Sequence, residues 1–97
     1  MAIRHVVLFN FKPGTDEASI RRIIDRLNEL PGMIDEIRAW SLREDLGRRD
    51  HSSRFALIAD FDSMEALIRY LVHPAHVRVV EQALPLVLDL AEHDHET

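Results

Sequence analysis

Apolar residues crowd the stretch Ile3–Phe11 (IRHVVLFNF) on both parities, with His5, Val7, Phe9 and Phe11 on one and Val6 and Leu8 on the other. β-Branched and aromatic side chains at that density, closed by Pro13 and Gly14, predict a strand followed by a turn. The period then changes. Ile20, Ile23, Ile24, Leu27 and Leu30 recur at helical spacing, Thr15 and Asp16 offer side-chain oxygens to cap the start, and Pro31–Gly32 ends the pattern.

A shorter strand is predicted over Ile37–Arg43, followed by a charged surface loop from Glu44 to Ser53 and a third strand over Phe55–Phe61. Asp62 and Glu65 have the spacing of a reciprocal helix cap, and Met64, Leu67, Ile68 and Leu71 supply the apolar stripe behind them. Proline pushes the residue before it out of the helical region, so His73–Pro74 should break this helix, and a further segment runs from about Pro74 to Leu84. A last strand is expected to start near Leu88 and to end in a frayed, solvated terminus.

The order strand, helix, strand, strand, helix pair, strand is that of an α+β, ferredoxin-like β-α-β-β-α-β protomer, an antiparallel sheet with its helices on one face. The 97 residues suit one domain spanning 1–97. Strands one and three are apolar on both parities, yet the helices cover only one sheet face. The uncovered face would be a larger apolar patch than soluble monomers carry, so a second copy is the expected lid, the two sheets pairing as a dimeric α/β barrel.

Composition removes several classes of function. The chain has 12 Lys and Arg against 17 Asp and Glu, a formal net charge of −5, which disfavours a nucleic-acid partner because phosphates call for clustered cations. With no cysteine, thiolate ligation and thiol nucleophiles are out of reach. No stretch approaches the roughly 20 apolar residues of a membrane helix, and the first strand lacks the pattern of a signal peptide. A cytoplasmic protein is expected, with no membrane partner and no cofactor.

Four segments carry a resemblance: HVVLFNFKPGT at 5–15, LNELPGMI at 27–34, ADFDSMEAL at 59–67 and YLVHPAHV at 70–77. Together they make the chain similar to the stress-responsive dimeric A/B barrel (Dabb) domain family over nearly its whole length. The resemblance implies a ferredoxin-like protomer that dimerises through its sheets. The family holds plant stress-responsive proteins, bacterial members without an assigned role, and a plant polyketide cyclase. The likeness to that cyclase implies active-site positions at His5, Tyr70 and His76, with His76 as general base and Tyr70 assisting orientation. The chain departs from it in strand three, where Phe55 or a neighbour stands in place of a pocket histidine.

The residues themselves permit that chemistry. Histidine populates both protonation states near neutral pH, so His76 could take a proton from the carbon beside a carbonyl while Tyr70 donates a hydrogen bond to the enolate oxygen. His5 would approach from the sheet, and His73, Trp40 and Phe9 are candidate ligand-binding residues, with Met64 a further pocket candidate. The plainer alternative makes His73–Pro74 a turn signal, His76 a capping or packing residue, Tyr70 core, and Trp40 and Met64 ordinary packing. A metal site built from His73, His76, His93 and His95 lacks an acidic ligand at a known spacing, and none is expected. Three functions stay open: a homodimer binding a small apolar ligand between helices and sheet, a cofactor-free cyclase or isomerase, and a stress-related structural dimer.

Overall fold

A computed structural model describes residues 1–97. The elements are β1 (Ile3–Phe11), α1 (Glu17–Glu29), β2 (Ala39–Glu44), β3 (Phe55–Phe61), α2 (Met64–Val72), α3 (Pro74–Ala83) and β4 (Val87–Glu96). The four strands form an antiparallel sheet in the order β2-β3-β1-β4, which is the ferredoxin-like α+β fold. No helix is long and apolar enough to cross a membrane.

Strand parity decides what the sheet presents to each side. Ile3, His5, Phe9 and Phe11 of β1 and Phe55, Leu57, Ala59 and Phe61 of β3 are buried beneath the helices. They meet Ile20 and Ile23 of α1, Leu67 and Tyr70 of α2, and Ala75 and Val79 of α3. The other parity brings Val6, Leu8, Ala56, Ile58 and Ala91 onto the open face, where Leu8 is 40% and Ile58 38% exposed.

Helix starts follow side-chain chemistry, with one change from expectation. Asp16 caps α1, accepting from the Ser19 backbone N–H at 2.7 Å. The cap of α2 is Ser63 and not Asp62: Ser63 is in the extended conformation that brings its Oγ within 3.1 Å of the Ala66 N–H. Asp62, one residue too early to reach that amide, accepts a hydrogen bond from Arg38 at 3.0 Å instead.

The carboxyl-terminal tail is also not frayed. Nine of the ten residues of β4 pair with β1, from Val87 opposite Phe11 to Glu96 opposite Ile3, with a register shift that leaves Leu88 as the extra residue. The Thr97 N–H donates to the Ala2 carbonyl at 3.1 Å. Polar composition misled the reading of this segment because the ladder hydrogen bonds that order it come from the far end of the chain. His93 and His95 therefore sit on the open sheet face, opposite the side that carries His73 and His76.

Candidate functional site

The break at His73–Pro74 builds the site. In an unbroken helix the Ala75 N–H would donate to the Leu71 carbonyl. Here Ala75 donates to His73 Nδ1 at 3.1 Å, so His73 is the cap of α3 and Pro74 its first residue. The carbonyl thus released is taken by His76 Nδ1 at 3.0 Å. A carbonyl oxygen only accepts, so Nδ1 carries the proton and the lone pair of the neutral ring lies on Nε2.

His76 packs against Tyr70, with ring centroids 4.4 Å apart. Tyr70 is fully buried between Phe61, at 5.0 Å, and His5, at 6.2 Å. Its hydroxyl has no hydrogen-bond partner, which is rare for a buried polar atom. Burial, and then the nearby charge of Glu92, raise its pKa, so Tyr70 is a proton-bearing donor at neutral pH. His5, only 4% exposed, lies opposite Asp94 in the ladder and shares a 2.5 Å contact between Nδ1 and the Asp94 carboxylate. Its Nε2 is the uncommitted ring nitrogen.

These groups border a cavity of about 240 Å³ between the helices and the β1–β4 half of the sheet. Val7 and Phe9 on β1 and Leu57 on β3 face it from the sheet, and Leu71, Val80 and Leu84 from the helical side. Four residues nominated by the sequence, His5, Phe9, Tyr70 and His76, line the space together. His73 does not, being engaged in the α3 cap, and neither does Trp40, whose indole N–H donates to Asn28 at 2.9 Å beside the core. Met64 is on the outer surface at 43% exposure.

Two acidic residues escaped the sequence reading. Glu92 lines the cavity and Asp94 holds His5. The available signal was alternation: once β4 is a strand, Leu90, Glu92 and Asp94 share one face, the one that His5, Val7 and Phe9 present in β1.

Burial draws the His76 pKa below the usual histidine value, outweighing the opposing hydrogen bond to Leu71. Below a pH of about 6.5 the unfolded chain therefore holds a proton here that the folded chain refuses, so this residue's contribution to stability falls as pH drops through that value and is constant above it. Proton NMR of the His76 ring should give a midpoint under about 6.5, and a midpoint above it would show that a charge, not desolvation, dominates the site.

Comparison with known proteins agrees with this architecture. The family model described as "Stress responsive A/B Barrel Domain" matches residues 3–97. An uncharacterized protein of Streptomyces coelicolor is 36% identical over 76 residues, covering 76% of this chain and 78% of that protein. Olivetolic acid cyclase of Cannabis sativa is 28% identical over 83 residues, covering 79% and 78%. A dimeric ferredoxin-like protein of unknown function from Thermobifida fusca superposes with a TM-score of 0.91 at 27% identity, covering 100% of this chain and 92% of that one. With its model spanning all but the first two residues, the chain belongs to the stress-responsive A/B barrel (Dabb) domain family.

Proposed function

We propose that the protein is a homodimer, joined through its open sheet faces, whose protomers each bind one small, largely apolar molecule between helices and sheet. The observation that carries this reading is the cavity itself. Of its 15 lining residues 12 are hydrophobic, and Tyr70, whose buried hydroxyl has no partner, is among them. An engineered apolar cavity of about 150 Å³ holds benzene, so the larger space here suits a substituted or bicyclic ring. An inert structural dimer would have had this space filled by side chains. Support for the dimer comes from the dimeric Thermobifida fusca relative and from the apolar open face.

A second reading is favoured by the tautomer of His76. A neutral ring with its proton fixed on Nδ1 offers Nε2 as a base. It would take the proton from a carbon beside a carbonyl, the C–H electron pair moving into the enolate, whose oxygen accepts a hydrogen bond from Tyr70. Return of the proton to another position isomerises the ligand, and attack of the enolate carbon on a second carbonyl closes a ring. Kinship with olivetolic acid cyclase supports this chemistry.

Both readings meet one experiment. Calorimetric titration with 2-naphthol should show binding by the wild type and at least about a tenfold loss in Ala83→Phe, which fills the cavity; equal affinities would overturn the cavity reading. Aryl alkyl ketones incubated in D₂O should then exchange their α-protons in the presence of the wild type and not of His76→Gln. Exchange that persists in His76→Gln would sink the role of His76 as base, and binding with no exchange in either would leave the protein a binder.

A further inference from the structure

The cavity wall contains a single formal charge outside its histidines, the carboxylate of Glu92, and it has no Lys or Arg. Glu92 lies opposite Val7 in the ladder, on the face of β4 that looks toward the helices, and it takes part in none of the molecule's ion pairs. Its charge is felt by the two central groups of the site, since it acts on the titration of both Tyr70 and His76. The polar inventory of the cavity is therefore asymmetric. Tyr70 has one buried, unused donor. The acceptors include the Glu92 carboxylate and His76 Nε2, the latter free because Nδ1 is committed to Leu71, and His5 Nε2 is uncommitted as well.

We infer that Glu92 is the specificity-determining residue of this cavity, selecting an uncharged ligand that brings O–H or N–H donors on an apolar body and rejecting the carboxylate of the same shape. The inference rests on the proposed ligand-binding role of the cavity and names the chemical class that role takes. An entering carboxylate would lose part of its hydration, meet no Lys or Arg in the wall, and stand beside a like charge. An alcohol, phenol or amide would place its donor on Glu92 or His76 and could accept from Tyr70 in return. A site whose acceptors are left unpaired discriminates strongly against analogues that lack the donor. Glu92 sits on an edge strand at an exposed position, so the carboxylate remains hydrated when the site is empty, and selectivity is imposed as the ligand enters.

The test compares 2-naphthol with 2-naphthoate, the same bicyclic body with a donor or with an anion, by calorimetry at pH 7.5 on wild type, Glu92→Gln and Glu92→Leu. The wild type is expected to favour 2-naphthol by at least about tenfold. Glu92→Gln, which keeps an acceptor and removes the charge, should recover naphthoate binding while retaining most of the affinity for naphthol. Glu92→Leu should also lose naphthol affinity, so that the preference falls to within about threefold. Naphthol binding with an unchanged preference in both variants overturns the assignment to Glu92 and leaves the cavity reading intact. Failure of the wild type and both variants to bind either compound overturns the cavity reading and this inference with it. Glu92 is exposed on an edge strand, and unchanged circular dichroism of the variants serves as the check that they fold.

Discussion

Replacing Ile58 by aspartate is expected to convert the proposed dimer, of about twice the 11.2 kDa chain mass, into a monomer, read by light scattering on a sizing column. Ile58 is central on the open face, opposite Val6 of β1 and Ser41 of β2. Around it lie Leu8, Ala56 and Ala91, and the polar pairs Arg4–Asp60 and Asn10–Asp89 stand toward the edges. This is the arrangement of an interface, apolar at its centre and polar at its rim. A two-fold contact uses the same patch on both copies, so one substitution places two carboxylates in the buried centre. Burying an unpaired carboxylate costs several kcal/mol, and dissociation should strengthen by at least about 100-fold. Arg22→Glu, on the exposed side of α1, should leave the dimer intact. A wild type that sediments as a monomer, or an Ile58→Asp variant that stays dimeric, would contradict the open-face interface.

What was legible in the sequence was what short-range physics controls. The runs Ile3–Phe11 and Phe55–Phe61 needed only β-branched and aromatic density to be recognised, and their bounds coincide with β1 and β3. The break at His73 followed from proline alone, and with it came the segment that carries Tyr70 and His76 into one cavity. Long-range order was hidden. The tail from Ala91 onward reads as polar and solvated, and only pairing with β1 makes it a strand that delivers Glu92 and Asp94 to the helix side. Trp40 was an aromatic on a strand, as a pocket residue or a core residue would be, and its hydrogen bond to Asn28 in α1 is a tertiary fact without a local signal. The role of His73 was hidden for another reason: a histidine capping an amide two residues on has the same sequence as a histidine aimed at a ligand.

Tyr70→Phe should make the protein more stable and its site less competent. The ring itself is core, set against Phe61, His5, Trp40 and His76 with centroids between 4.4 and 6.4 Å away, and phenylalanine keeps all of these contacts. What it removes is a buried hydroxyl with no partner, a group whose desolvation is uncompensated in the unliganded protein. Relief of that penalty is worth about 1 to 3 kcal/mol, which for a chain of this length raises Tm by at least about 4 °C. Tyr70→Ala, which empties the centre of the core, should instead cost about 3 to 5 kcal/mol. The same hydroxyl is the site's one unused buried donor, so Tyr70→Phe should weaken ligands that carry a carbonyl oxygen by at least about tenfold and slow α-proton exchange by a similar factor. Stability and competence then move in opposite directions, which is the mark of a polar group retained for what it binds rather than for folding. A Phe variant with a lower Tm than the wild type would mean that the hydroxyl has a partner in the resting protein. A Phe variant with a higher Tm and full ligand affinity would place the donor role elsewhere in the cavity.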